Sequence, residues 1–250
     1  MARSYQQYCA SEKDSVGRLM ATAEGEESMG ESIRLRAEDG VAFGAWRADP
    51  AGSRRGAVVV VQEVFGVNAH IRDVCDRFAS AGYAAIAPAL FDRLRPGVEL
   101  GYDEAGIAEG RALVGELGWE APIRDIWAAA QALRADGRVG VVGYCWGGTV
   151  AWLAGCRLDV ACVAAYYGRQ IVDFTAERPR CPAILHFGAA DPLIPRDNVD
   201  KVRAAYPDVP LFLYDGAGHG FNCDRRADHR PAAAEAALTR TLALFAEHLE

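Results

Sequence analysis

The chain has 250 residues, 51% of them hydrophobic, and a formal net charge of −7. That length and apolar content can build one large α/β domain or two small ones. The acidic balance argues against a protein that grips a nucleic-acid backbone, which needs a basic excess.

No apolar run is long enough to span a bilayer, and the N-terminus has no apolar h-region, so neither a membrane anchor nor a secretory signal is expected. Seven cysteines, at 9, 75, 145, 156, 162, 181 and 223, are odd in number and lack a CxxC pair. They form neither a disulfide framework nor a zinc pattern, so the expectation is a cytoplasmic, reduced protein without metal.

Residues 1–30 are polar, without sustained periodicity, and read as a poorly ordered extension; residues 31–250 read as one domain. Ser32 to Arg36 and Val41 to Arg47 are two strands around the Asp39-Gly40 turn. Gly56 to Val61 is a continuous apolar, β-branched run, the mark of a strand buried on both faces. Asn68 caps a helix whose Ile71, Val74 and Phe78 share a face, and Gly82 ends it. Tyr83 to Leu90 is the next buried strand, and Phe91 to Tyr102 a loop.

A helix follows over Asp103 to Leu117. Pro122 opens another, with Ile123, Ile126, Trp127, Ala130 and Leu133 on one face. Val139 to Val142 is a strand and Thr149 to Ala154 a helix-like stretch. Val160 to Tyr167, Ala183 to Phe187 and Val209 to Tyr214 are further strands. Pro195 to Tyr206 is a helix between the last two, and Pro231 to Leu249 closes the chain as an amphipathic helix. Strands alternating with helices predict a doubly wound, mostly parallel sheet flanked by helices, with an N-terminal antiparallel hairpin.

In such a sheet ligands bind at the carboxyl ends of the strands. Gly143-Tyr144-Cys145-Trp146-Gly147-Gly148 stands there as a glycine-flanked strand–turn–helix elbow, with Cys where Ser is commoner. The start of a helix favours negative charge on the side chain it presents. The alternative is a buried structural thiol, as Cys156 and Cys162 read on their apolar stretches.

Asp191 follows the Ala183 to Phe187 strand and precedes Pro192, where an Asp also serves turns. His219 follows the last strand within Asp215-Gly216-Ala217-Gly218-His219-Gly220. Nucleophile, acid and histidine thus each follow a separate strand, in the chain order of an α/β-hydrolase triad. Of the other histidines, His186 lies inside a strand as a core residue, His248 sits on the terminal helix, and His70 and His229 lie near helix starts.

Glu63 ends the Gly56 to Val61 strand in Gln62-Glu63-Val64-Phe65-Gly66 and would face the elbow. It can pair with an arginine or serve Cys145 as a proton acceptor. The N–H groups of Val64 and Trp146 stand where an oxyanion hole needs its donors. A thiolate is itself a good leaving group. A cysteine nucleophile therefore suits substrates whose departing oxygen is stabilised, such as an enol lactone or aryl ester. A non-catalytic binding module on a hydrolase fold is the contrasting class, and the complete triad weighs against it.

These segments, with Asp191-Pro192 and Gly216-Ala217-Gly218-His219-Gly220-Phe221, resemble the dienelactone hydrolase (carboxymethylenebutenolidase) family of the α/β-hydrolase superfamily over residues 31–249. The resemblance implies Cys145 as nucleophile, His219 as base, Asp191 as its orienter, and Glu63 as holder of the resting thiol. It implies Arg93 as the group that binds a substrate carboxylate. The family's second arginine, four residues after the histidine, is Cys223 here, with Arg225 and Arg226 close by as substitutes.

Phe65 completes the substrate-binding candidates. The implied reaction is hydrolysis of dienelactone to maleylacetate type, through a thioester, as in aromatic degradation. A broader carboxylesterase or thioesterase is the alternative on the same triad. The expected partner is a small-molecule ester or lactone, with no cofactor, nucleic acid or membrane. The expected form is a monomer or small homo-oligomer.

Overall fold

The computed structural model of the protein describes residues 30–250. The expected N-terminal extension, residues 1–30, lies outside the described residues apart from Gly30, which begins the first strand.

Among the described residues, eight strands form one sheet in the order β1-β2-β4-β3-β5-β6-β7-β8. They are β1 (Gly30–Arg36), β2 (Ala42–Ala48), β3 (Gly56–Val61), β4 (Tyr83–Pro88), β5 (Val139–Tyr144), β6 (Cys162–Tyr166), β7 (Ala183–Gly188) and β8 (Leu211–Tyr214). β1 and β2 pair antiparallel from Gly30↔Ala48 to Arg36↔Ala42, as the Asp39-Gly40 turn predicts. β2 also meets β4 antiparallel, and every pair from β4 to β8 is parallel.

Every residue of β3, β4, β5, β6 and β7 is buried, so helices and loops cover the sheet on both faces and continuous apolar runs fit there. The helices are α1 (Ala69–Ser80), α2 (Glu104–Leu117), α3 (Glu120–Leu133), α4 (Trp146–Arg157), α5 (Arg196–Ala205) and α6 (Pro231–Leu249). Among the described residues no helix is long and apolar enough to cross a membrane.

The boundaries differ from the sequence reading for identifiable reasons. β4 stops at Pro88, which has no N–H to continue a ladder, and Leu90–Arg93 turns instead into a 3₁₀ helix. The Leu90 N–H is satisfied by the Gln62 side-chain oxygen at 3.1 Å. α3 begins at Glu120, two residues before Pro122, because a proline within the first turn removes an N–H that has no intrahelical partner anyway. Asn68 caps α1 through its side-chain oxygen, which accepts the Ile71 N–H at 3.3 Å.

From β3 the chain passes to β4 on one side and returns to β5 on the other. The strand order therefore reverses at β3, and a crevice opens outside the carboxyl ends of β3 and β5.

Candidate active site

The elbow joins β5 to α4 at Cys145, whose φ of +56° is rare for a residue with a side chain. The turn is tight because two backbones meet. A Cβ on Gly143 would lie 1.9 Å from the Gly147 carbonyl oxygen, and one on Gly147 would lie 2.2 Å from the Gln62 oxygen. α4 therefore starts at Trp146, three residues before Thr149. Its first-turn glycines are poor helix formers, kept for close approach to β3.

Three strand ends converge on the Cys145 sulfur. The loop after β8 brings His219 Nε2 to 3.1 Å from Cys145 Sγ. The turn after β7 brings Asp191 Oδ2 to 2.8 Å from His219 Nδ1. Asp191 is held in turn by the Leu193 N–H, which donates to Oδ1 at 2.8 Å. Asp191 and His219 are buried, while Cys145 is half-buried and opens to a cleft. The Tyr167 ring meets the imidazole edge-on, with centroids 5.1 Å apart.

Burial alone would disfavour a charged His219. The adjacent Cys145 charge and the Asp191 hydrogen bond override it and push the imidazole up to about 10. His219 is thus held as a protonated imidazolium against the Cys145 sulfur at neutral pH.

The cleft beside this line holds about 290 Å³. Val64, Phe65, Ile107, Val114, Trp146 and Leu193 give it apolar walls, and Arg111, Arg169 and Arg226 give it positive charge. Trp146 stacks on Phe91 at 5.6 Å between centroids, which fixes the indole as a wall. A larger groove, about 690 Å³, opens at the amino-terminal ends of β5, β6 and β7, away from the triad.

The four arginine and glutamate candidates are placed differently from one another. Arg93 does not line the cleft. Its guanidinium makes two bonds to the buried Asp125, at 2.7 and 2.8 Å, and another to Asp39 at 2.7 Å. Arg225 pairs with Asp73 at the surface. Arg226 does line the cleft, over the Phe65 and Tyr102 rings, with Nη1 3.9 Å from Glu63 Oε1. Glu63 is 1% exposed, and among the described residues neither of its carboxylate oxygens has a hydrogen-bond partner. The thiol it is expected to hold is turned to His219 instead.

Residues that the sequence reading passed over also appear here. Arg111 belongs to α2, and Arg169 follows the end of β6, a position type that the carboxyl-end rule already marks. His70 is fully buried in the first turn of α1, with Nδ1 3.3 Å from Asp224 Oδ1. Burial opposes its protonation, but the Asp224 hydrogen bond and the Cys223 and Glu63 groups beside it push it up to about 9. His186 matches its core reading. It bonds Tyr214 at 2.8 Å and Thr241 at 3.3 Å, and burial pushes it down to about 3.

Comparison with known proteins agrees with this fold. The sequence profile of the dienelactone hydrolase family matches residues 43–249. A carboxymethylenebutenolidase of Pseudomonas putida is 32% identical over 226 residues, which cover 86% of this chain and 96% of its own. A Synechocystis sp. protein provisionally assigned as a carboxymethylenebutenolidase is 37% identical over 212 residues, 77% of this chain and 86% of its own. A crystal structure from Klebsiella pneumoniae, provisionally assigned as a dienelactone hydrolase, superposes with a TM-score of 0.77 at 29% identity. It covers 87% of this chain and 100% of that one. The chain belongs to the dienelactone hydrolase family and is a hydrolase of ester or lactone bonds.

Proposed function

We propose that the protein hydrolyses a small activated ester or enol lactone through a thioester on Cys145. The observation that carries this reading is the hydrogen-bonded line Cys145–His219–Asp191 opening on a cleft that is partly apolar and partly cationic.

The Cys145 thiolate attacks the carbonyl carbon, forming a C–S bond and moving the carbonyl electron pair onto oxygen. The N–H groups of Val64 and Trp146 receive that oxyanion; the Trp146 N–H is one of those a helix start leaves without an intrahelical partner. Collapse breaks the C–O bond, and the His219 imidazolium gives its proton to the departing oxygen. In a lactone that oxygen stays attached to the acyl chain. Water then attacks the thioester, His219 takes its proton, and the C–S bond breaks to return the thiolate.

Sulfur leaves the tetrahedral intermediate more readily than a simple alkoxide does. The forward path is therefore open to enolates and aryloxides. A cleft of about 290 Å³ suits a compact substrate. Arg226 replaces Arg93 as the group assigned to a substrate carboxylate, since it lines the cleft and Arg93 is committed to Asp39 and Asp125. The role assigned to Glu63, holding the thiol before substrate arrives, requires Cys145 to turn from His219 towards it.

The test is kcat/KM on dienelactone against a neutral enol lactone, in the wild type and in Arg226→Met. Arg226→Met is expected to lose the preference for the carboxylate; an unchanged preference removes Arg226 from this role. Cys145→Ala is expected to lose hydrolysis of both, and turnover near the wild-type level refutes the nucleophile. The Ile107, Val114 and Leu193 walls favour, as a second reading, a broader carboxylesterase or thioesterase. Aryl acetates and acyl thioesters turned over faster than dienelactone would select it.

A further inference from the structure

We propose that Glu63, His70 and Cys223 form a binding site for one divalent cation of the zinc class. The three come from separate elements: the end of β3, the first turn of α1 and the loop after β8. Each offers one ligand atom, a carboxylate oxygen, an imidazole nitrogen and a sulfur, and these atoms all lie within 4.8 Å of one another. All three residues are buried.

The second observation is that two of the three residues present buried polar atoms whose hydrogen-bonding capacity is unused. Among the described residues, both Glu63 oxygens and His70 Nε2 are buried without a hydrogen bond. A carboxylate and an imidazole meant only for each other would close to hydrogen-bonding contact. Here neither has closed on the other. Ligands at zinc distances of about 2.0–2.3 Å in tetrahedral array are themselves about 3.3–3.8 Å apart, so atoms within 4.8 Å of one another need only a small closure to share one ion.

The surroundings fit the same assignment. His70 Nδ1 is bonded to Asp224, and Asp224 is held by Arg77. That is the carboxylate–histidine arrangement which orients the ring and lets Nε2, once it gives up its proton, bind a metal. The Cys223 thiol donates to the Tyr102 hydroxyl at 3.4 Å, and once the thiol ionises that hydroxyl can donate to the thiolate. Binding releases the His70 Nε2 proton and the Cys223 proton to solvent, and the Glu63 and Cys223 charges then balance a divalent ion. Mixed nitrogen, sulfur and oxygen donors select zinc and its neighbours over magnesium or calcium. Arg226, 3.9 Å from Glu63 Oε1, competes for the same carboxylate, so a bound cation and Arg226 exchange hold of Glu63.

The site shares Glu63 with the proposed hydrolysis, but its test needs no turnover. The full-length, chelator-treated protein is titrated with Co²⁺ alone. One equivalent is expected to give an intense near-ultraviolet sulfur-to-cobalt band, displaced by one equivalent of Zn²⁺. Cys145→Ala is expected to keep the band, and Cys223→Ser to lose it. Asp224→Asn is expected to bind Co²⁺ about 10–100-fold more weakly, with the band recovered at saturation. No band, a band that survives Cys223→Ser, or a band that vanishes with Cys145→Ala overturns the proposal and leaves the cluster to solvent. Should Cys223→Ser fail to fold, unchanged Co²⁺ affinity in both Glu63→Gln and Asp224→Asn overturns it equally.

Discussion

Replacing Asp191 by Asn tests how much of the reaction depends on an anionic partner for His219. The carboxylate accepts the imidazole Nδ1–H at 2.8 Å and the Leu193 N–H at 2.8 Å. An asparagine can keep the Leu193 bond and the packing, so the fold is expected to survive. Towards His219 it can present its oxygen, which preserves the tautomer but carries no charge. It can also present its NH₂, which forces the proton to Nε2, facing Cys145. What disappears in either case is a hydrogen bond between charged groups, in a position where Asp191 is buried. Such bonds contribute about 1.5–3 kcal/mol, which corresponds to roughly 10–160-fold in rate.

That is well below the factor of about 10⁴ known for the same change in a serine triad. A thiol can ionise beside an imidazole with less help than a hydroxyl needs. The assay is kcat/KM on an aryl acetate across pH. Asp191 is one of the groups holding His219 up at about 10, so the alkaline limb of the profile is expected to move to lower pH in the variant. Activity unchanged within twofold, or an unmoved alkaline limb, would refute the role given to Asp191.

Three further outcomes follow from the same geometry. Arg93→Ala leaves Asp125 buried without its cation and is expected to cost about 3–5 kcal/mol in denaturant unfolding. It should leave the carboxylate preference intact, and a lost preference would return Arg93 to substrate binding. Gly143→Ala forces a Cβ to within 1.9 Å of the Gly147 oxygen, with backbone on both sides. A loss of at least about 1–3 kcal/mol in thermal unfolding, with most activity, is expected; a fully active, stable variant would show that the elbow can relax. His186 is pushed from 6.5 down to about 3 by burial, so the unfolded chain binds a proton that the folded chain refuses between those values. Stability from this residue is complete above 6.5 and falls as pH drops towards 3. His186→Gln should therefore flatten the decline of Tm with acid, and an identical decline in both proteins would contradict the assignment.

The parts of the molecule legible in the sequence are those written locally. A strand covered on both faces must be apolar at every position, so β3 and β5 stand out as Val58 to Val61 and Val139 to Val142. The triad is legible for a topological reason: parallel strands deliver their following loops to one edge, so chain order alone orders Cys145, Asp191 and His219. The arginines are different. Whether a guanidinium serves substrate or scaffold depends on which carboxylates meet it. Arg93 is captured by Asp39 from the hairpin turn and Asp125 from α3, two partners distant in sequence. Nothing in the residues around Arg93 records that capture.

His70 is an intermediate case. Its place beside the Asn68 cap suggests an exposed helix start, yet the periodicity of α1 says otherwise. Val74 is four residues on and Phe78 eight, so His70 belongs to the stripe that packs inward. A histidine on such a stripe must find polar company in the interior, and Asp224 is there to meet it, with Glu63 and Cys223 beside it. The period was therefore the better guide than the residue type. A buried imidazole in a helical apolar stripe calls for its partner to be sought among the loops that cross that end of the helix.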